Sequence, residues 1–146
     1  MQITSKFTIG VHILAALEYF KNDFNVTSNF LAKSVGVNPV LIRTVMGELK
    51  NAGLIYASQG KTGINLAKSL SDITFYDVYK ALDCVEENAL FHFHESPNGN
   101  CPVGKNIHCA MDGKLSEIQA VMENEMKKIT VKSVYDDIEK QIKKEI

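Results

Sequence analysis

Arginine is almost absent from this chain: of 146 residues only Arg43 is one, and every other Lys/Arg position is lysine. No apolar run approaches the roughly 18 residues needed to cross a bilayer. The first two dozen or so residues also lack the charged, apolar and small-residue regions of a secretory signal, so a cytoplasmic protein with no membrane partner is expected. Three cysteines in a reducing compartment do not make a disulfide framework. There is no glycine-rich phosphate loop, no nucleophile motif and no carboxylate pair at a defined spacing, which argues against an enzyme. Repeats and low-complexity segments are missing too. An excess of charge is also lacking, with 16 basic against 17 acidic side chains. The balance is uneven along the chain: residues 1–66 carry a net +3 and residues 67–146 a net −4. That asymmetry is modest, so any case for nucleic acid must come from a motif.

Such a motif runs from Thr27 to Leu66. Ser28 is expected to cap a first short helix through its hydroxyl, Phe30, Leu31 and Val35 give that helix an apolar side, and Gly36 supplies the turn. Asn38 followed by Pro39 is a second start signal, because asparagine accepts from free backbone donors and proline has no donor to waste at the first helical position. Ile42, Val45, Met46 and Leu49 form the inward stripe of this second helix, and Gly53 suits its left-handed end. The run from Leu54 to Ser58 is β-prone, and Ile64, Asn65 and Leu66 return after Gln59, Gly60, Lys61, Thr62 and Gly63, which predicts a glycine-tipped hairpin. Helix, turn, helix and hairpin in that order read as a winged helix, a DNA-binding unit. Residues 1–24 read as its first helix, with Phe7, Val11, Leu14, Leu17 and Phe20 on one side.

The outward positions of the second helix are Asn38, Pro39, Val40, Leu41, Arg43 and Thr44, at the end of a recognition helix that meets base edges. Arg43 can fork onto guanine or clamp a phosphate. It can also form a weak surface pair with Glu48. Val40 and Leu41 can meet thymine methyls or pack on the neighbouring helix. Lys61 at the hairpin tip, flanked by Gln59 and Thr62, suits a wing lying along phosphates. A protein-docking winged helix without DNA binding is the competing class. Salt dependence and an Arg43→Ala variant separate the two.

The fold class expected is mainly α: a winged-helix domain over 1–70, then a helical region over 71–146 with an irregular Cys/His loop at 86–109. Thr74 and Asp77 predict a reciprocal cap for a helix running to Val85. The turn formers from Glu95 to Asn100 interrupt it. A long helix is expected from about Ile107 to Ile129 and a short final one from Thr130, with Val131, Val134, Tyr135, Ile138 and Ile142 inward. Met111, Leu115, Ile118 and Met122 form a heptad seam, which suits pairing with a second copy across a two-fold axis and equally suits packing on the chain's own first helix.

Five metal-capable side chains, His92, His94, Cys101, His108 and Cys109, fall within the irregular segment and its exit. Two thiolates and two imidazoles suffice for tetrahedral zinc, although the spacing matches no common zinc pattern. Thiol redox chemistry is the other reading. Cys101 stands in a glycine-rich loop and Cys109 near a helix N-terminus, where the helix dipole favours thiolate. Cys84 reads as a small core residue.

Five segments together, SKFTIGVHILAALEYF, LKNAGLI, QGKTGINLA, SDITFYDVYKAL and CPVGKNIHC, resemble the Rrf2 type of winged-helix transcription regulators, whose members include IscR, NsrR and CymR, in its YwnA-like branch. The resemblance covers essentially the whole chain. It implies a homodimeric DNA-binding repressor on a pseudo-palindromic operator, with the long C-terminal helix making the dimer and contacts assigned to Asn38–Thr44 and the wing tip. Two departures stand out. Gln59 replaces the arginine that opens the family's wing motif, and Arg43 stands where IscR-like members carry an acidic residue. Cluster-binding members have three closely spaced cysteines before the long helix, of which only Cys101 is matched here, with Glu95 and Ile107 at the other two positions. No cofactor is therefore expected, a metal or iron–sulphur cluster in the Cys/His loop being the alternative.

Overall fold

The computed structural model describes residues 3–57, 63–82, 90–91 and 93–145. Helix α1 (Lys6–Phe20) is followed by α2 (Ser28–Val35) and α3 (Pro39–Asn51), a two-stranded antiparallel sheet of β1 (Ile55–Ala57) and β2 (Ile64–Leu66), and a 3₁₀ turn at Leu70–Asp72. Then come α4 (Phe75–Ala81), the 25-residue α5 (Pro102–Met126) and α6 (Val131–Lys144).

The central element is α1. Ile9, Gly10, Val11, Ile13, Leu14, Ala15, Ala16 and Leu17 are all buried, so the helix is apolar nearly all round. The one-sided helix expected for residues 1–24 is corrected in this respect, and Phe7 and Phe20 are only half-buried. A helix covered by neighbours on several sides needs no polar face: α2, α3, α4 and α6 all pack on it. Gly10 lets α4 approach, since a Cβ there would stand 2.6 Å from Leu82 Cδ1. The cluster also takes in Ile42, Val45 and Leu49 of α3, Ile73, Val78 and Leu82 around α4, and Val131 of α6.

Local signals fix the remaining boundaries. The capping box at α4 is present, Thr74 Oγ1 accepting from the Asp77 N–H and Asp77 from the Thr74 N–H. Residues 83–85, the rest of the helix expected there, and Cys84 with them, lie outside the described residues. Helix α5 begins five positions earlier than the expected Ile107. Pro102 occupies its first turn and Cys101 is the N-cap residue. The irregular segment therefore ends at Cys101, and His108 and Cys109 are helical. Thr130 caps α6 by accepting from the Ser133 N–H. The start of α6 is tied to that of α4 by Phe75 N–H to Ile129 O and Val131 N–H to Ile73 O, both 2.8 Å.

The heptad seam is divided between two environments. Met122, with Met126, packs against the core cluster, and Gln119 beside it is buried, its Oε1 accepting from the Leu90 N–H at 2.9 Å. Met111 and Leu115 are half-buried, whereas Ile118 is 52% exposed. On the outer flank Val103 and Val121 are also exposed. They lie about five turns apart at 3.6 residues per turn and so share one azimuth of the helix.

Candidate nucleic-acid interface

Helix α3 is presented by caps at both ends. Asn38 Oδ1 accepts from the Val40 N–H at 2.7 Å, with Pro39 at the first helical position. At the other end Gly53 adopts φ +76° and the Leu54 N–H bonds back to Leu49 O, the 6→1 closure of a left-handed helix end. Between α2 and α3, Gly36 at φ +81° makes the turn that sets the two axes. The cap of α2 is Thr27, whose hydroxyl accepts from the Phe30 N–H at 3.2 Å. Ser28, the residue expected in that role, is half-buried in the first turn. Both are good capping residues, and the extended φ/ψ that a cap requires falls at Thr27.

Ile42, Val45 and Leu49 bury one face of α3, and the opposite face is free. Arg43 and Thr44 are exposed, Val40 is 61% exposed, Asn38 is exposed and Pro39 half-buried. Leu41 belongs to the other surface, packed against the core cluster. Thr44 Oγ1 donates to the Val40 carbonyl at 3.1 Å, which holds its methyl and hydroxyl in one orientation. Glu48, the acidic side chain near Arg43, is taken by Lys6 of α1 at 2.6 Å. Arg43 has no ion pair among the described residues. Its guanidinium therefore has no internal use there.

A shallow groove of about 190 Å³ separates α3 from the sheet. Arg43, Lys50 and Tyr56 line it, and Tyr56, 49% exposed, pairs with Asn65 across the β1–β2 register. Lys50 and Tyr56 were not singled out from the sequence. Lys50 stands seven residues after Arg43, which signals the same face of the helix, and Tyr56 is at an outward strand position. The hairpin base is held by Ile64 N–H to Val26 O at 3.2 Å and Ala67 N–H to Leu54 O at 2.9 Å. Gln59, Lys61 and Thr62 of the wing tip lie outside the described residues.

The Cys/His residues occupy separate stations. Cys101, exposed at the N-cap of α5, has its thiol facing the Gly104 and Val103 N–H groups without full capping hydrogen-bond geometry, and these donors hold its pKa below the usual thiol value. Cys109 is exposed further along the same helix, about 12 Å on at 1.5 Å per residue. His108 Nδ1 lies 3.1 Å from Asp112 Oδ1 and its Nε2 3.0 Å from the His94 carbonyl. Both ring nitrogens are engaged within the protein, and the His94 ring stands 5.2 Å from that of His108. His92 lies outside the described residues. Among the described residues, no group of three or more His, Cys, Asp or Glu side chains converges to hold an ion.

The family whose sequence model matches residues 3–137 is Rrf2, described as an iron-dependent transcriptional regulator. YwnA of Bacillus subtilis (strain 168), named as an HTH-type transcriptional regulator, is 36% identical over 136 residues, spanning 93% of this chain and 98% of that protein. Among solved structures, one named as a DNA-binding protein is 32% identical with a TM-score of 0.72, covering 89% of this chain and 98% of that one. CymR (YrzC), the global cysteine regulator of B. subtilis, has the same fold at 16% identity and a TM-score of 0.65, covering 93% and 97%. The described donors do not fit the iron in the family's description. Cys101 and Cys109 are too far apart along one helix to share an ion, and both ring nitrogens of His108 already lie against oxygens of the protein.

Proposed function

Because this chain belongs to the Rrf2 family of DNA-binding transcription regulators, we propose that it acts as a homodimeric repressor, that α3 reads a pseudo-palindromic operator, and that Cys101 tunes binding through oxidation. The observation that carries the reading is the outer face of α3: a capped helix presents an exposed Arg43 with no ion pair among the described residues, beside Lys50 and an exposed Tyr56. An exposed guanidinium on a recognition helix can fork onto guanine O6 and N7. Lys50 and Tyr56, at the groove edge, suit phosphate and sugar contacts. Gln59 in the wing lacks the charge that draws arginine into a narrow minor groove.

The exposed flank of α5 supports self-association. Val103, Ile118 and Val121 are 70%, 52% and 64% exposed on one side of a 25-residue helix, an apolar stripe of the kind that a second copy covers. In this reading the dimer surface lies beside Met111 and Ile118 of the heptad seam, while Met122 packs against the chain's own core. A switch at Cys101 would act at the first turn of that helix. Peroxide would transfer one oxygen to the thiolate, leaving sulfenic acid and releasing hydroxide. A second thiol from the partner copy could then displace water to give a disulfide. Cys109 of the same chain is beyond the roughly 7 Å Cα separation that a disulfide tolerates.

Selection of bound sites from random duplex DNA, under reducing and peroxide-treated conditions, tests the reading. Enrichment of a two-fold-related sequence, with affinity falling steeply with salt and changing on oxidation, is expected. No enrichment would refute DNA reading, and identical affinity in both conditions would refute the thiol switch.

A further inference from the structure

Gly47 stands in the middle of α3, and a Cβ built on it would meet no atom of the described residues within 4 Å beyond the helix's own backbone. Its backbone is right-handed helix, unlike the left-handed Gly36 and Gly53. Glycine weakens a helix interior relative to alanine, and neither a turn nor a close neighbour among the described residues calls for it. Two residues along the same face have branched side chains turned to solvent. Val40 is 61% exposed, although Leu41 beside it packs against the core cluster, and Thr44 is exposed with its hydroxyl proton engaged by the Val40 carbonyl at 3.1 Å. At 3.6 residues per turn Val40, Thr44 and Gly47 lie within about 60° of one another around the axis, with Arg43 and Lys50 along one edge. The face is therefore hydrocarbon at its N-terminal end and bare backbone at its middle.

We propose that Val40 and Thr44 read thymine by its C5 methyl group, within about two base pairs of the base that Arg43 holds, and that Gly47 is the gap through which a DNA strand comes close enough for that contact. The proposal rests on the DNA-binding reading above and gives its operator a chemical content. On the base-pair edges of the major groove the thymine methyl is the one apolar group. Every other group there is a donor or acceptor, which loses water against a valine and gains no hydrogen bond in return. Thr44, its proton already engaged, has none to donate to guanine O6 or thymine O4. The depth of seating decides whether the methyl contact forms. Carbon atoms attract at about 3.5–4.0 Å and are out of contact beyond about 4.5 Å. A Cβ at position 47 stands about 1.5 Å out from the backbone, enough to hold a sugar–phosphate strand off the helix and to part the methyl groups.

The test takes a duplex selected by the full-length protein and replaces each thymine in turn by deoxyuridine, which removes the methyl group and keeps every hydrogen-bonding atom. At least one replacement should weaken binding by about fourfold, the effect of burying one methyl group. Val40→Ala should bind that deoxyuridine duplex and its thymine parent alike, with the melting temperature of the native protein, so that the cycle isolates the pair. Gly47→Ala should move two readouts in opposite directions. Its melting temperature should rise by about 2–4 °C, because alanine is the better helix former, while its affinity for the selected duplex falls at least threefold. A lowered melting temperature would show that the gap serves the protein's own packing, and would overturn its role in docking. A raised melting temperature with unchanged affinity would overturn it as well. Indifference to deoxyuridine at every thymine, or equal sensitivity in Val40→Ala, would overturn the methyl reading. Failure of the native protein to bind any duplex would refute the earlier DNA-binding reading, whereas binding that ignores thymine methyls refutes this one alone.

Discussion

Replacing Arg43 by alanine separates recognition from stability, because the side chain is exposed and has no ion pair among the described residues. The folded state loses almost nothing, and an exposed surface change of this kind stays within about 0.5 kcal/mol. Alanine also favours the helix interior. Binding responds differently. A bidentate contact to guanine contributes about 1–3 kcal/mol of discrimination, equivalent to about a 5- to 150-fold loss on the selected site and little on scrambled DNA. A phosphate clamp instead lowers affinity about equally on both sequences and reduces the salt slope by about one. Arg43→Lys divides these cases further, since it keeps the charge and loses the planar fork. Fluorescence anisotropy on a selected and a scrambled duplex, at three or more salt concentrations, reads all of these quantities. The reasoning is refuted if Arg43→Ala binds the selected site as tightly as the native protein. A lowered melting temperature would instead reveal an internal role for the guanidinium.

Four other outcomes are expected. Lys6→Met leaves the Glu48 carboxylate without its 2.6 Å partner, while its other oxygen is already buried with no hydrogen bond among the described residues; with both side chains about three-quarters covered, a loss of about 2 kcal/mol is expected, read as a lower urea midpoint. Ile118→Glu combined with Val121→Glu places two charges on the exposed flank of α5 and should halve the mass seen by light scattering without altering the helical circular dichroism signal. The Cys101 thiol is held below the usual value by backbone N–H groups, so its alkylation by iodoacetamide should reach half-maximal rate at a lower pH than that of a free thiol measured alongside, and Cys101→Ser should remove that component of the pH profile. Non-reducing mass spectrometry should find no internal Cys101–Cys109 bridge in folded protein.

The winged helix was legible because its signals are local. Asn38–Pro39 starts α3, Gly36 and Gly53 take the two left-handed positions, and the Thr74–Asp77 box starts α4. Each is a contest between neighbouring backbone groups and one side chain, decided within a few residues. The start of α5 lies at Pro102 and not at Ile107, because a proline suited to the first helical turn directly follows the turn formers from Glu95 to Asn100. The Thr27 cap was misplaced by one residue because both Thr27 and Ser28 carry a suitable hydroxyl. For the site, Asn38, Val40, Arg43 and Thr44 are outward as helical spacing implies, whereas Leu41, expected with them, packs against the core cluster. Lys50 and Tyr56 did not stand out, because the groove that joins them lies between two elements.

By itself the sequence determined the order of elements, the face of α3 that turns outward and the family to which the chain belongs, since periodicity and capping chemistry act over one or two turns. The tertiary structure decided what depends on distant partners. It made α1 the covered centre of the molecule, and it gave Glu48 to Lys6, leaving Arg43 without an ion pair among the described residues. It also split the apolar residues of α5 between a core-facing side and an exposed flank. Burial and ion pairing are properties of what comes to lie opposite a side chain, and forty-odd residues of intervening chain separate Lys6 from Glu48. No local pattern in the amino-acid order records that meeting.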